Sequence, residues 1–145
     1  MIIISHRGNL DGVDPIYENM PDYIEKAIQQ GFQVEVDVWI KNNKIFLGHD
    51  RPQYKINLSF LKNKKLWCHA KNFEAMDIML KNKIHCFWHE TDKMCLTSKK
   101  IIWCYPGTFV RGGITVVLNK NKNNLKNFCY GICTDYPNYY LNFLK

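Results

Sequence analysis

Gln33-Val34-Glu35-Val36-Asp37-Val38-Trp39 alternates strictly between valine and a polar or bulky residue. Side chains leave a β-strand with period 2, so the three valines share one face and Glu35 and Asp37 share the other. Two carboxylates side by side repel one another unless a cation joins them, and a hard divalent ion such as magnesium or calcium takes oxygen ligands of this kind. The competing reading is an edge strand that carries its acids outward into solvent.

Outward from this stretch, β-rich runs recur at Ile2–Ser5, Leu66–His69, Cys86–His89, Ile101–Tyr105, Thr115–Leu118 and Gly131–Thr134. Lys44–Leu47 reads as a short extra strand that pairs back on Gln33–Trp39. Between the first two strands lies a well-signalled helix. Asn19 can cap it, Pro21 and Asp22 suit its first turn, Met20, Tyr23, Ile24, Ala27 and Ile28 form its apolar face, and Gly31 stops it. A second helix is expected after Asn72, with Phe73, Met76, Met79 and Leu80 toward the core. Strands alternating with helices predict an α/β fold on a parallel sheet. Beyond residue 85 the strands lie too close together for full helical crossovers, so some crossovers must be loops or single turns. Arg111-Gly112-Gly113 and Lys120–Lys126 read as exposed loops.

The 145 residues, 46% hydrophobic and 23% charged, predict one folded domain spanning 1–145 and exclude whole-chain disorder. No apolar run approaches the roughly 18 residues of a membrane span, and Met1-Ile2-Ile3-Ile4-Ser5-His6-Arg7-Gly8 lacks the basic n-region of a signal peptide. The expectation is a cytoplasmic protein with no membrane span. The net charge of +7 is compatible with an anionic partner, but only Arg7, Arg51 and Arg111 among the 20 basic residues are arginines. Base readout leans on arginine's bidentate fork, so no nucleic acid is expected, which leaves an anionic lipid or a phosphorylated small molecule. Cys68, Cys86 and Cys104 sit in apolar runs and read as reduced core thiols, and the cysteines lack the paired spacing of a structural zinc site.

Polar clusters fall where strands end, which is where parallel α/β folds build their sites. His6 and His49 can hold or release a proton near neutral pH and so serve as an acid and base pair. Arg7 offers a fork for phosphate, and Asp50 stands where it can orient His49. Acids, a cation site, a phosphate fork and two histidines together describe phosphodiester chemistry.

His6-Arg7-Gly8, Glu18-Asn19, Glu35-x-Asp37, His49-Asp50 and Gly131-Ile-Cys-Thr-Asp135-Tyr-Pro137, in this order, resemble the glycerophosphodiester phosphodiesterase family, within the phosphatidylinositol-phospholipase-C-like phosphodiesterases. The resemblance implies a TIM barrel. Because a full barrel takes about 250 residues, this chain is expected to form an abbreviated (β/α) barrel with several later helices shortened or missing. It further implies that His6 and His49 are the catalytic pair, that Glu35 and Asp37 hold magnesium or calcium, and that Arg7 and Lys71 bind the substrate phosphate. Glu18 would support the site through hydrogen bonds or act as a local device at the helix start.

Two departures from the family pattern stand out. Where the family's third strand carries Glu-x-Lys, this chain has His69-Ala70-Lys71. His69 is therefore a candidate metal ligand that makes manganese or zinc more plausible, the alternative being a weakened site into which Glu90 reaches. Only Arg51–Lys65 separates the His-Asp motif from the third strand, too little for the family's usual insertion over the glycerol end. The implied activity is metal-dependent phosphoric diester hydrolysis or cyclisation of a glycerophosphodiester or related (lyso)phospholipid diester, a reaction of lipid metabolism. The alternative is a catalytically silent barrel that binds a phosphorylated ligand. The sequence leaves the oligomeric state open.

Overall fold

The structure is a computed structural model describing residues 1–120 and 129–144. Its strands are β1 (Ile2–His6), β2 (Gln33–Lys41), β3 (Lys44–Leu47), β4 (Tyr54–Ile56), β5 (Leu66–Ala70), β6 (Cys86–Phe87), β7 (Met94–Leu96), β8 (Ile102–Cys104), β9 (Ile114–Val116) and β10 (Gly131–Thr134). The helices are α1 (Pro21–Gln29), α2 (Leu58–Leu61), α3 (Phe73–Lys81) and α4 (Pro137–Leu144). The expected loop over 120–126 lies outside the described residues, apart from Lys120.

These strands form one mixed sheet of ten strands that curls into an open half-barrel. Parallel pairing runs β6-β5-β2-β1-β10-β9-β8. Two strands run against it, β3 pairing β2 and β7 pairing β8, while β4, antiparallel to β3, runs with the parallel set. This corrects the expected abbreviated TIM barrel. Among the described residues there are four helices, and strands and helices do not alternate around the sheet. Loops after Phe87, Leu96 and Cys104 are too short to return a helix, and after β6 the chain comes back as the antiparallel β7. The outer edge of β8 is thereby occupied by β7 and is not paired with β6. Ser98 covers the end of β6 instead: its N–H donates to the Cys86 carbonyl, and its hydroxyl accepts from the Cys86 N–H.

The alternation of β2 is realised as read. Val34, Val36 and Val38 are fully buried against Ile24 and Ala27 of α1 and Ala75 and Met79 of α3, each contributing about 1.5–3 kcal/mol by burial. The opposite, concave face carries Ile4, Trp67, Phe87, Trp103, Ile114, Val116 and Cys133 as a second core. α4 closes the convex side through Tyr140, packed with Ile132 and Val117.

Two helix details differ from the sequence reading. The cap of α1 is Met20, which makes no side-chain capping bond, with Pro21 following at the first helical position. Asn19 is fully buried and used elsewhere. On α3, capped by Asn72 through the Ala75 N–H, the buried residues are Ala75 and Met79, while Phe73 and Leu80 are exposed. The strand beneath is covered by the small Ala75, which draws the helix close and rotates Phe73 and Leu80 outward. All six cysteines are free thiols. Among the described residues, no helix is long and apolar enough to cross a membrane.

Candidate active site

Parallel register aligns the polar residues of three neighbouring strands in one row. His6 stands opposite Glu35 across β1 and β2, and Asp37 stands opposite His69 across β2 and β5. Period 2 then directs His6, Glu35, Asp37 and His69 to the same concave face. Arg7 turns the chain out of β1 with φ +53°, its N–H donating to the Glu35 carbonyl.

Glu35, Asp37 and His69 each offer an atom within 4.8 Å of the others. His69 Nδ1 lies 3.1 Å from Asp37 Oδ1 and 3.7 Å from Glu35 Oε1. On the other side of the ring, Nε2 donates to the His89 carbonyl at 2.9 Å, and the ring stacks on Phe87. Because a carbonyl only accepts, Nε2 carries a proton and Nδ1 is the atom offered to the carboxylates. Glu35 Oε2 and Asp37 Oδ1 are buried and have no hydrogen-bond partner. Two carboxylate oxygens and an imidazole nitrogen converging in this way fit a divalent ion, and this cluster could hold one. With a proton in the ion's place, the same geometry makes His69 a cation. Burial opposes its charge, but Asp37 and Glu35 overcome that cost and push its pKa up to about 9. Burial likewise works against the charge of Asp37, yet His69, Arg7 and Lys71 hold its carboxyl far below the ordinary range.

Around the cluster, His6, Arg7, Asn9, Glu18 and Asp135 engage one another. His6 Nδ1 donates to Asp135 Oδ1 at 2.7 Å, and Asn9 Nδ2 donates to the same oxygen at 2.8 Å. Burial disfavours a charged His6, but Asp135 and Glu35 raise its pKa nonetheless. Arg7 donates through Nη1 to Glu18 Oε2 at 3.2 Å, and its Nε lies 3.1 Å from Asp37 Oδ2. Glu18 also accepts from Asn9 at 2.8 Å, so it ties Arg7 to the β1 end by hydrogen bonds. Lys71 Nζ stands 3.6 Å from Asp37 Oδ1.

A cavity of about 320 Å³ opens over this row, lined by the polar His6, Arg7, Glu35, His49, His69 and Lys71 and by Phe87, Trp103, Tyr105, Val116 and Leu118. His49 reaches the cavity from the loop after β3, 40% exposed, with Nδ1 2.6 Å from the exposed Asp50. That loop is held by the Gly48 N–H on the Asp37 carbonyl and by the Trp39 indole on the Gly48 carbonyl.

No family model, curated protein or solved structure matches the chain.

The structure thus brings His6, Arg7, Glu18, Glu35, Asp37, His69 and Lys71 together, with His49 at the rim and Asp50 pointing to solvent. Glu90 lines the cavity and is not part of the cluster; its carboxylate accepts from the Trp88 indole. Sequence reasoning assigned no site role to Asp135, Asn9, Asn19 or His89. Asp135 stands inside a quoted motif and Asn9 directly follows His6-Arg7-Gly8, and their polarity at strand ends is the available signal. Asn19 reads as a cap in sequence because an asparagine two residues ahead of Pro21 suits a helix start. His89 carried no signal beyond its residue type.

Proposed function

We propose that the chain is a metal-dependent phosphodiesterase of the glycerophosphodiester phosphodiesterase kind, acting on a glycerophosphodiester or a related (lyso)phospholipid diester. The observation that carries this reading is the convergence of Glu35, Asp37 and His69, with orphaned carboxylate oxygens, beside the cationic Arg7 and Lys71. The order of the motif residues along the chain, resembling that family, supports it further. An ion bound there would neutralise phosphate oxygens as charge builds in the transition state. Magnesium or calcium suits the two carboxylates, and the imidazole nitrogen favours manganese or zinc.

The chain's own residues supply the remaining chemistry. Arg7 and Lys71 bind the phosphate. Asp135 holds His6 in one tautomer, leaving Nε2 to exchange a proton with the substrate. A neighbouring substrate hydroxyl attacks phosphorus and loses its proton to one histidine, while the other protonates the departing alkoxide, giving a cyclic phosphate. His6, with its raised pKa, suits the acid, and His49 the base.

One observation favours a second reading, a silent pocket that binds a phosphorylated ligand. A protonated His69 neutralises Glu35 and Asp37 without any ion. Turnover of a panel of glycerophospho- and lysophospholipid diesters that carry such a hydroxyl, with EDTA, magnesium, calcium or manganese, separates the two. Metal-dependent turnover lost in both His6→Ala and His49→Ala is the expected result. A folded protein with no turnover under any metal would leave the binding pocket as the better reading.

A further inference from the structure

His6, Arg7, Glu35, His49, His69 and Lys71 bring charge and polarity to the cavity, but the rest of its lining is largely hydrocarbon and aromatic carbon. Tyr105 and Pro106 follow β8 and Leu118 follows β9. These strands belong to the parallel set, so the residues that follow them stand at the same sheet end as Arg7 and Lys71. Tyr105 is 45% exposed, Pro106 is exposed and Leu118 is half-buried, so they offer open surface, whereas Phe87 and Trp103 stack on each other and are almost fully buried. One ring separates Tyr105 from the polar cluster: its centroid lies 5.2 Å from that of His89, which lies 6.5 Å from that of His69. Both nitrogens of His89 are buried, so that ring adds only carbon to the lining, and Glu90 accepts from the Trp88 indole. Hydrocarbon laid on such a surface leaves water favourably, while a hydroxyl pressed against it gives up hydrogen bonds to water.

We propose that the phosphate ester taken by this cavity carries a hydrocarbon chain, which lies on Tyr105, Pro106 and Leu118 while its phosphate sits at Arg7 and Lys71. The inference rests on the phosphate-ester reading of the site and selects, within it, lipid-like esters over those whose organic parts are small polyols. The occupant follows from continuity: one cavity is lined both by the cations that face the phosphate and by the open apolar surface beside them. A chain attached to a phosphate held by Arg7 and Lys71 meets that surface without leaving the cavity. Each methylene fully buried there would tighten binding about fourfold, and half-open surface such as this returns about half of that free energy, or about twofold.

Calorimetric titration with inorganic phosphate, glycerol 3-phosphate, phenyl phosphate and the series ethyl, butyl and hexyl phosphate tests this on the wild type, Tyr105→Phe, Tyr105→Ser and Leu118→Asn. In the wild type, affinity should rise about two- to fourfold per methylene along the series. Glycerol 3-phosphate should bind no more tightly than ethyl phosphate, and inorganic phosphate should displace hexyl phosphate. Tyr105→Phe should keep the slope, because the ring and not the phenol makes the contact. Tyr105→Ser and Leu118→Asn should each lower it, read against the affinity of the same variant for inorganic phosphate. Tyr105 is exposed, so the thermal midpoint of Tyr105→Ser should stay within about 3 °C of wild type. A flat series, a tighter hold on glycerol 3-phosphate than on hexyl phosphate, hexyl phosphate that phosphate does not displace, or a slope kept in Tyr105→Ser would overturn the proposal. Phenyl phosphate bound more tightly than hexyl phosphate would overturn the chain in favour of an aromatic group. Turnover of the diester panel is read separately. A slope without turnover keeps the apolar subsite and removes the phosphodiesterase, turnover with a flat series does the reverse, and failure of every phosphate to bind removes the subsite together with the phosphate-ester reading.

Discussion

Asn19 and Asp37 hold each other through two hydrogen bonds: the Asn19 amide donates to Asp37 Oδ2 at 2.9 Å, and the Asp37 backbone N–H donates to Asn19 Oδ1 at 2.9 Å. Both residues are fully buried, so neither bond competes with water. The left-handed backbone of Asn19, φ +63°, aims its side chain inward at the start of α1. An asparagine ahead of a helix thereby fixes the rotamer of a carboxylate 18 residues along the chain.

Replacing Asn19 with Ala strips a buried carboxylate and a buried N–H of their partners, at a cost of about 3 kcal/mol. Urea denaturation at neutral pH reads that loss directly. Manganese affinity should fall as well, because the Asp37 carboxylate is no longer oriented. A variant as stable as wild type would show that the pair is dispensable.

The stability of the metal-free protein should decline between pH 6.5 and about 9. His69 has its pKa raised to about 9, so its stabilisation is fully present below the unfolded value near 6.5 and is lost as pH rises through 9. The loss is on the order of 2–3 kcal/mol. Manganese must displace the same proton, so its apparent affinity should rise up to about tenfold per pH unit across this window. Denaturation of EDTA-treated protein at pH 6.5 and 8.5 checks the first effect, and His69→Asn should flatten both.

His85 gives the opposite dependence at acid pH. It is 7% exposed, packs on Trp67 at 4.2 Å, and its pKa is pushed down to about 4, first by burial and then by Lys99. Above pH 6.5 the ring is neutral in both states and contributes nothing. As pH falls from about 6.5 to 4 the unfolded chain takes up a proton that the folded chain refuses, and stability drops by on the order of 2–3 kcal/mol. The difference between wild type and His85→Phe in urea denaturation at pH 7 and pH 4.5 isolates this contribution from that of the carboxylates.

Gly48→Ala should damage the loop that presents His49. Gly48 has φ +149°, and a Cβ there would clash with the Arg51 carbonyl oxygen. The expected cost is about 2 kcal/mol or more. Phosphodiester turnover should fall while manganese affinity at Glu35, Asp37 and His69 is kept, which a paired turnover assay and metal titration would show.

Much of the strand architecture was legible before folding. The period-2 pattern at Gln33–Trp39 placed Glu35 and Asp37 on one face, and the pairing of Lys44–Leu47 with β2 followed from the short turn between them. The missed elements are β4, α2, β7 and α4, most of them only three or four residues long, where a hydrophobic pattern has no room to repeat. The barrel expectation came from the family resemblance and not from strand–helix alternation past residue 85. Local spacing showed there that helices could not fit, but not that β7 would turn back and occupy the edge of β8.

The sequence by itself determined most of the strands, the apolar face of α1 and the facing of the two carboxylates, because these follow from the periodicity of neighbouring residues along one element. Only the tertiary structure decided that the sheet stays an open half-barrel, that Asp135 grips His6 across 129 positions, and that Asn19 serves Asp37. Those relationships depend on sheet order and register between distant strands. No local pattern encodes them, because their energy appears only when the strands are brought side by side.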